Sequence, residues 1–243
     1  MNFNRWSKIF FVTGVSSCMA LVSCVPPDAP KIPGPAESVT REEAISTAYV
    51  YTQVEWDAEM RHVMHGDDGS GITVHTPDVS LNHRGFANGW WEPGKPMQGM
   101  PYQWGGFDTP RTFLRSLERG EFAGDISTKT KRELGDSGTS KRACGIDCSG
   151  FISRCWRLER SYSTKELPSI CRKLKSWIHL KPGDILLNDR HVLLFKAWSP
   201  SGDSMLIYEA GPYPVWQVKA AEIGQDKLVR EGYAAWTYRG MRD

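Results

Sequence analysis

Five short runs of β-branched and aromatic residues in the second half of the chain constrain the fold most strongly. They span residues 184–187, 191–198, 205–210, 215–218 and 233–238. Gly, Pro, Asn and Asp residues, which favour turns, separate the runs. Short strands joined by short turns are typical of an antiparallel meander. Because the helical patterns come earlier in the chain, we predict an α+β fold, with N-terminal helices packed on a central antiparallel sheet of five to six strands.

Three helical patterns precede these runs. The first begins at a capping box formed by Thr40 and Glu43, and its apolar spacing continues for about six turns, so that the helix should end near His65. The second covers residues 111–118. The third covers residues 148–158, where the apolar side chains lie mostly on one side.

Two segments between these elements carry turn-forming and polar residues. Residues 66–98 are predicted to form loops with one short strand at residues 72–75, and two tryptophans inside them indicate that the loops are packed. Residues 121–142 are polar and contain glycine, and we predict that they form a surface insertion.

The N-terminus has the pattern of an export signal. Arg5 and Lys8 precede a mostly apolar stretch at residues 9–22, which is too short to span a bilayer comfortably. The stretch ends in Leu-Val-Ser-Cys24, which resembles the bacterial lipobox, in which the cysteine is lipidated and becomes the first mature residue. A plain secretory signal with an incidental cysteine is the alternative. The lipobox implies an extracytoplasmic protein anchored by lipid, and Val25 after the cysteine favours the periplasmic side of the outer membrane in a Gram-negative host.

A proline-rich segment follows Cys24, and five prolines between Val25 and Pro35 predict a tether. The predicted units are a signal segment at residues 1–23, a tether at 24–37, an N-terminal extension at 38–98 and a main domain at 99–243 with an insertion at 107–145.

Charge and cysteine content exclude some classes of protein. The 243-residue chain has a net charge of +2, and without the first 23 residues it has 28 basic and 28 acidic residues. A neutral mature protein has no electrostatic attraction for nucleic acid. The six cysteines are too few and too unevenly spread for a disulfide scaffold. A disulfide between Cys144 and Cys171 stays open, whereas Cys155 is expected to be a free buried thiol.

One cysteine stands where a reactive thiol is expected. Cys148 lies at the predicted start of a helix, between Asp147 and Ser149, and a helix N-terminus favours the thiolate that attacks as a nucleophile. A nearby imidazole must serve as the base, and His191 at the start of a strand is the best candidate. Glu209 on the next strand could orient that imidazole if the two strands form a hairpin.

The residues around Cys148 and His191 also carry a family resemblance. Gly-Ile-Asp-Cys-Ser-Gly-Phe-Ile at residues 145–152, Leu-Lys-Pro-Gly-Asp at 180–184 and His-Val-Leu-Leu-Phe at 191–195 resemble the NlpC-type cell-wall peptidases. Pro-Tyr-Gln-Trp-Gly-Gly at residues 101–106 is similar to the family's Tyr-x-x-Gly-Gly element. The resemblance implies a papain-like fold and the cleavage of peptide stems in peptidoglycan, most often between D-glutamate and a diamino acid.

The resemblance assigns roles to individual residues. It implies that Cys148 is the nucleophile and His191 the base, and that Tyr102 lines the site and binds the oxyanion together with the Cys148 amide. Glu209 falls at the third polar position, where many members have His or Asn. The other residues expected to line the substrate site are Asp147, Ser149 and Trp104. No cofactor and no metal are implied, and a monomer is expected.

Departures from the family leave alternatives open. The connection at residues 107–145 is longer than the family usually has, so we expect it to border the cleft. A different acyl chemistry on the same fold, such as an amidase or acyltransferase, is one alternative, and a non-catalytic wall-binding lipoprotein is another. Four tryptophans could line a substrate groove or belong to the core: Trp90, Trp91, Trp104 and Trp216. Four residues near the end of the first helix have the composition of a metal site or of helix and turn caps: His62, His65, Asp67 and Asp68.

Overall fold

A computed structural model describes residues 29–86, 89–211 and 216–243. The predicted signal segment and Cys24 lie outside these ranges. The fold is α+β, with one six-stranded antiparallel sheet, as the sequence predicts. None of the helices in the described ranges is both long enough and apolar enough to cross a membrane.

Six α-helices and fourteen strands are present in the described ranges. The helices are α1 (Arg41–Thr52), α2 (Pro110–Glu118), α3 (Lys129–Leu134), α4 (Cys148–Cys155), α5 (Leu167–Ile170) and α6 (Gln225–Arg230). The strands are β1 (Val39–Thr40), β2 (Glu55–Asp57), β3 (His65–Asp67), β4 (Thr73–His75), β5 (Pro96–Gln98), β6 (Phe122–Ala123), β7 (Ala143–Cys144), β8 (Cys171–Lys173), β9 (Ile185–Leu187), β10 (Val192–Trp198), β11 (Ser204–Ala210), β12 (Val218–Gly224), β13 (Ala234–Tyr238) and β14 (Met241–Arg242).

The central sheet has the strand order β12-β11-β10-β9-β13-β8. Four of the five predicted runs match β9, β10, β11 and β13 closely. The remaining run, predicted at residues 215–218, corresponds to β12, which begins at Val218. The prediction missed β12 beyond that point because Lys219, Ala220 and Glu222 have low strand propensity, and pairing with β11 along seven residues overrides that preference. Residues 212–215 lie outside the described ranges.

Both faces of the sheet are covered. On one face, Val192 and Leu194 of β10 share a core with Phe151 and Ile152 of α4. On the other face, Leu193 and its neighbours form a second core that includes Leu228 of α6. This alternation follows from the two-residue period of a strand. It places α4, which begins with Cys148, directly over β10 and β11.

The first helix has the predicted start but not the predicted end. The Thr40 hydroxyl accepts from the Glu43 amide at 3.1 Å, and the Glu43 carboxylate accepts from the Thr40 amide at 2.8 Å. The helix then ends at Thr52, so the prediction of an end near His65 is wrong. Trp56 keeps the helical spacing but lies in β2, where its indole nitrogen donates to the Gly99 carbonyl at 3.0 Å.

The segment at residues 121–142 is not a surface insertion, so that prediction is wrong. Phe122 and Ile126 are buried, and α3 begins within the segment. Asp125 and Lys131 are both buried, and their carboxylate and ammonium groups lie 2.5 Å apart. The polar composition predicted a surface location because composition does not show which charged residues pair. Asp125 and Lys131 can be buried only because each neutralises the other.

The chain before β1 lies against the domain from Ala29 onwards. The Arg157 guanidinium donates to the Gly34 carbonyl at 2.8 Å, and the Ala36 amide donates to the Arg157 carbonyl at 2.9 Å. Ile32 packs against the main core. This part of the predicted tether is therefore ordered on the domain.

Candidate active site

The start of α4 holds the candidate nucleophile. Asp147 caps the helix: one carboxylate oxygen accepts from the Gly150 amide at 2.5 Å and from the Ser149 hydroxyl at 2.9 Å. Cys148 is the first residue of the helix and is buried. The unpaired amides of the first helical turn favour negative charge at this position.

The two sequence motifs around this helix start form one interlocked structure. The Ile146 amide donates to the Pro101 carbonyl at 3.2 Å, and the Ile146 carbonyl accepts from the Gln103 amide at 3.2 Å. The Asp147 amide donates to the Gly106 carbonyl at 3.1 Å. Tyr102 is therefore held beside Cys148 by backbone pairing, and the spacing of each motif reflects contact with the other.

Glycine at position 150 allows this close approach. A Cβ atom there would lie 2.3 Å from the carbonyl oxygen of Gly106, which is backbone and cannot rotate away. We expect Gly150→Ala to lower the free energy of unfolding by about 1–3 kcal/mol, the usual cost of overpacking. Thermal and urea unfolding measure it. Gly34→Ala, whose new Cβ would have no atom of the described residues within 4 Å, is the control. Equal stability of the two variants would contradict the interlocked arrangement.

His191 and Glu209 form a hydrogen-bonded pair. Leu194 pairs with Tyr208 in the β10–β11 hairpin, which puts His191 diagonally across from Glu209 on the same side of the sheet. The His191 Nε2 atom lies 3.0 Å from a Glu209 carboxylate oxygen. The Asn188 side chain accepts from the His191 amide at 2.8 Å and so fixes the turn before β10.

This pairing determines which ring nitrogen of His191 can act as a base. A carboxylate only accepts, so Nε2 carries the proton that it donates to Glu209. In the neutral ring, Nδ1 is then the acceptor. Nδ1 is buried and has no hydrogen-bond partner among the residues that the structure describes. A buried acceptor without a partner lowers stability, and a catalytic role is one explanation for its presence.

Glu209 is held as a carboxylate. Burial opposes its ionisation, but the hydrogen bond and charge of His191 and the charge of Lys219 outweigh burial, so the pKa of Glu209 lies below its ordinary value. Lys219 is the direct cross-strand partner of Glu209, and its ammonium lies 3.8 Å from the second carboxylate oxygen. A charged Glu209 would stabilise the His191 imidazolium.

The Cys148 thiol is neutral in this state. Burial raises the pKa of Cys148, and the Asp147 charge adds to the effect, while the backbone amides of Val192, Ser149 and Cys148 itself act in the opposite direction. The Val192 amide directly follows His191 in the chain, so the thiol lies against the start of β10. Among the described residues, no hydrogen bond joins the Cys148 thiol to the His191 ring.

Tyr102 lies close to the thiol. Burial raises the pKa of Tyr102, and the charge of Asp147 and the charge that Cys148 carries as a thiolate raise it further, so its hydroxyl keeps its proton and can donate. Its amide donates to the Trp216 carbonyl at 2.9 Å, and the two rings meet edge to face at 5.4 Å. Trp216 has φ of 53°, which is unusual for a bulky residue. Sequence analysis did not identify this supporting role of Trp216.

Tyr233 is a second residue that the sequence analysis missed. Burial raises the pKa of Tyr233. The charges of Glu231 and Glu209, and the charge that Cys148 carries as a thiolate, raise it further, while the Asn188 side chain lowers it by a hydrogen bond. Tyr233 therefore lies near both the candidate nucleophile and Glu209. The register of β13 on β9 brings it there, and no local motif marks it.

The remaining predicted residues have different surroundings. Trp104 donates its indole N–H to the Gly135 carbonyl at 3.1 Å and so contacts the segment after α3. Trp91 and Trp216 are fully buried in the core, and Trp90 donates to the Trp216 carbonyl at 2.9 Å. These three tryptophans therefore act as packing anchors in this structure.

The other candidate sites have their own partners. Cys144, Cys155 and Cys171 are free thiols, so the disulfide that the sequence left open is not formed. The His62 ring contacts the Glu59 amide and the Leu117 carbonyl. Among the residues described, no group of three or more His, Cys, Asp or Glu side chains is arranged to hold a metal ion.

Comparison with known proteins gives no relative. No family model, no curated protein and no solved structure matches this chain.

Proposed function

We propose that the chain is a cysteine peptidase of the NlpC type, with a papain-like arrangement of Cys148, His191 and Glu209. The observation that carries the proposal is the hydrogen bond from His191 Nε2 to Glu209, which is partly buried and has a lowered pKa. This hydrogen bond leaves the buried Nδ1 atom as an acceptor without a partner among the described residues, one residue before the Val192 amide that hydrogen-bonds the Cys148 thiol. Neither a structural histidine nor a structural cysteine requires this combination.

In the proposed reaction, His191 Nδ1 takes the thiol proton as the Cys148 sulfur attacks a substrate amide carbonyl. The Cys148 amide and the Tyr102 hydroxyl donate to the oxyanion. The imidazolium gives its proton to the leaving amine, and an acyl-enzyme remains. His191 then removes a proton from water, which attacks the thioester, and the released thiolate recovers the proton. Glu209 keeps the imidazole oriented and stabilises its charged form.

The substrate class follows from the motifs. The resemblance of residues 99–240 to cell-wall peptidases supports an amide in a peptidoglycan stem, most often the bond between D-glutamate and a diamino acid. The lipobox-like sequence at Cys24 supports an extracytoplasmic enzyme anchored by lipid, on the periplasmic side of the outer membrane in a Gram-negative host. We propose a monomer that needs no cofactor.

Digestion of purified muropeptides tests this function. The native chain should release stem fragments of lower mass, and Cys148→Ala should release none. Cys155→Ala, a buried thiol in the same helix, is the matched control and should retain activity. No product from the native chain, or equal product from Cys148→Ala, would exclude the proposed peptidase. Products of transfer to lipid or of cleavage at another amide would support the acyltransferase or amidase alternative.

A non-catalytic wall-binding lipoprotein is the second candidate. The observation that favours it is the neutral, buried Cys148 thiol, whose pKa is raised. Alkylation with iodoacetamide across a range of pH separates the two. A reactive enzyme thiol should be alkylated well below the ordinary thiol pKa of about 8.5, and a structural thiol should not.

A further inference from the structure

A basic surface lies at the edge of the central sheet that β8 forms. It surrounds a cavity of about 910 Å³. We use the name basic surface for the six basic residues that line this cavity: Arg41, Arg172, Lys173, Lys175, Lys181 and Arg239.

Most of this positive charge has no carboxylate beside it. Two acidic residues line the same cavity, Asp184 and Asp243, and both are engaged by Arg41, at 2.9 Å and 2.6 Å. Lys181 shares Asp243 at 2.7 Å. Six basic residues against two acidic ones leave a charge of +4.

The other four cations in this surface have no ion pair with any described carboxylate. They are Arg172, Lys173, Lys175 and Arg239. Lys173 lies over the Trp236 ring, 5.7 Å from its centre. Four unneutralised charges around one concave surface attract a partner with closely spaced negative charges.

An exposed aliphatic residue stands beside these charges. Ile178 is 77% exposed and lines the same cavity as the basic surface. It lies in the short helical turn Trp177–His179. A second concave surface of about 400 Å³ lies on the other side of this turn, with Trp177 and Trp198 in its lining, so that Ile178 stands on a ridge. Basic side chains around a protruding apolar residue are typical of a surface that binds at a membrane interface.

We propose that the basic surface and Ile178 dock on a bilayer containing anionic phospholipid. The four unneutralised cations would contact lipid phosphates, and the Ile178 side chain would enter the boundary between headgroups and acyl chains. The docking is independent of the proposed peptidase activity. It also differs from the lipid expected at Cys24, because an anchor alone leaves the orientation of the domain free.

The docked orientation would leave the candidate active site open. Ile185 pairs with Leu194 and Leu187 pairs with Val192, so Asp184 and His191 lie at opposite ends of β9. Glu209 is in β11, four strands from β8, which is about 19 Å at the usual spacing. The basic surface and the thiol therefore differ in position both along and across the sheet.

A fluorescent label at position 178 tests the docking in the full chain. Ile178→Cys in a Cys148→Ala background is labelled with an environment-sensitive dye, and Cys148→Ala alone corrects for labelling elsewhere. The protein is mixed with vesicles of phosphatidylcholine, alone or with phosphatidylglycerol. Leu134→Cys in the same background, at a 51% exposed position in α3, is the matched control.

With vesicles that contain phosphatidylglycerol, we expect the dye at position 178 to report an apolar environment and its fluorescence to be quenched by brominated acyl chains. Vesicles of phosphatidylcholine alone should give neither change, and the dye at position 134 should not respond to either composition. About 1 M salt should reverse the change, because the Debye length falls to about 3 Å. Arg172→Gln with Lys175→Gln should lower the ratio of inserted to exposed label about 25-fold, since each basic residue contributes about 1 kcal/mol at an anionic surface. Lys129→Gln with Lys141→Gln, an equal loss of charge elsewhere, should not.

Three results would overturn the docking. The first is a label at position 178 that stays in water on anionic vesicles. The second is an equal response to both lipid compositions. The third is protection of the label by soluble peptidoglycan fragments without any response to vesicles, which would identify a wall polymer as the partner.

Discussion

Replacement of His191 by Gln is expected to lower kcat/KM for muropeptide cleavage by about 10²–10⁴-fold, the usual contribution of a general base. The variant loses the acceptor at Nδ1 and the hydrogen bond from Nε2 to Glu209. Without an imidazolium partner, the buried thiol should ionise only at higher pH. Steady-state kinetics and the pH dependence of iodoacetamide labelling at Cys148 measure the two effects.

A histidine elsewhere in the chain provides the control for this variant. His179 is exposed at the far end of the sheet, and His179→Gln should leave kcat/KM unchanged. The kcat/KM of Glu209→Gln should lie between those of His191→Gln and His179→Gln. The variant keeps a hydrogen-bond acceptor but loses the charge that stabilises the imidazolium. Native kcat/KM in His191→Gln would remove His191 from the mechanism.

Replacement of Lys131 by Met is expected to lower the free energy of unfolding by about 3–5 kcal/mol at about pH 8, because it leaves the Asp125 carboxylate buried without its cation. Burial raises the pKa of Asp125 to about 7 in spite of Lys131. A carboxyl whose folded pKa is raised contributes most stability when protonated, and that contribution is lost as pH rises through the folded pKa. The deficit of the variant should therefore shrink at about pH 5. Urea unfolding at both pH values measures it.

Another lysine in the same helix is the matched control. Lys129 is 85% exposed and lies 3.7 Å from Glu133, so Lys129→Met should change stability by no more than about 0.5 kcal/mol. If Lys131→Met lost no more than about 0.5 kcal/mol of unfolding free energy, or lost more as the pH is lowered, the Asp125–Lys131 pair would not be buried as described.

Local patterns predicted the parts of the fold that depend on neighbouring residues. The capping box at Thr40 and Glu43 and the runs of β-branched and aromatic residues in β10 and β11 are of this kind. The end of α1 and the burial of Lys131 were mispredicted, because they depend on residues distant in sequence or on the pairing of two charges. Trp56 continues the helical spacing, yet it lies in β2 because that strand pairs with β5.

The candidate site divides in the same way. The hairpin of β10 and β11 explains why His191 and Glu209 could be paired from the sequence. Tyr233 could not be found, since only the register of β13 on β9 brings it near Glu209 and Cys148. The position of Trp104 was also beyond the sequence, because its partner Gly135 belongs to a segment that the composition assigned to the surface.

The segment at residues 121–142 has a consequence for attempts to shorten this protein. The Asp125 amide donates to the Tyr102 carbonyl, and the Asp125 carbonyl accepts from the Trp104 amide, both at 2.9 Å. The segment therefore pairs through its backbone with the extended stretch that carries Tyr102 and holds it in place. A chimera with a short loop in its place would lose this support of Tyr102, so a loss of activity would report on the displaced Tyr102, the proposed oxyanion donor, instead of on substrate choice.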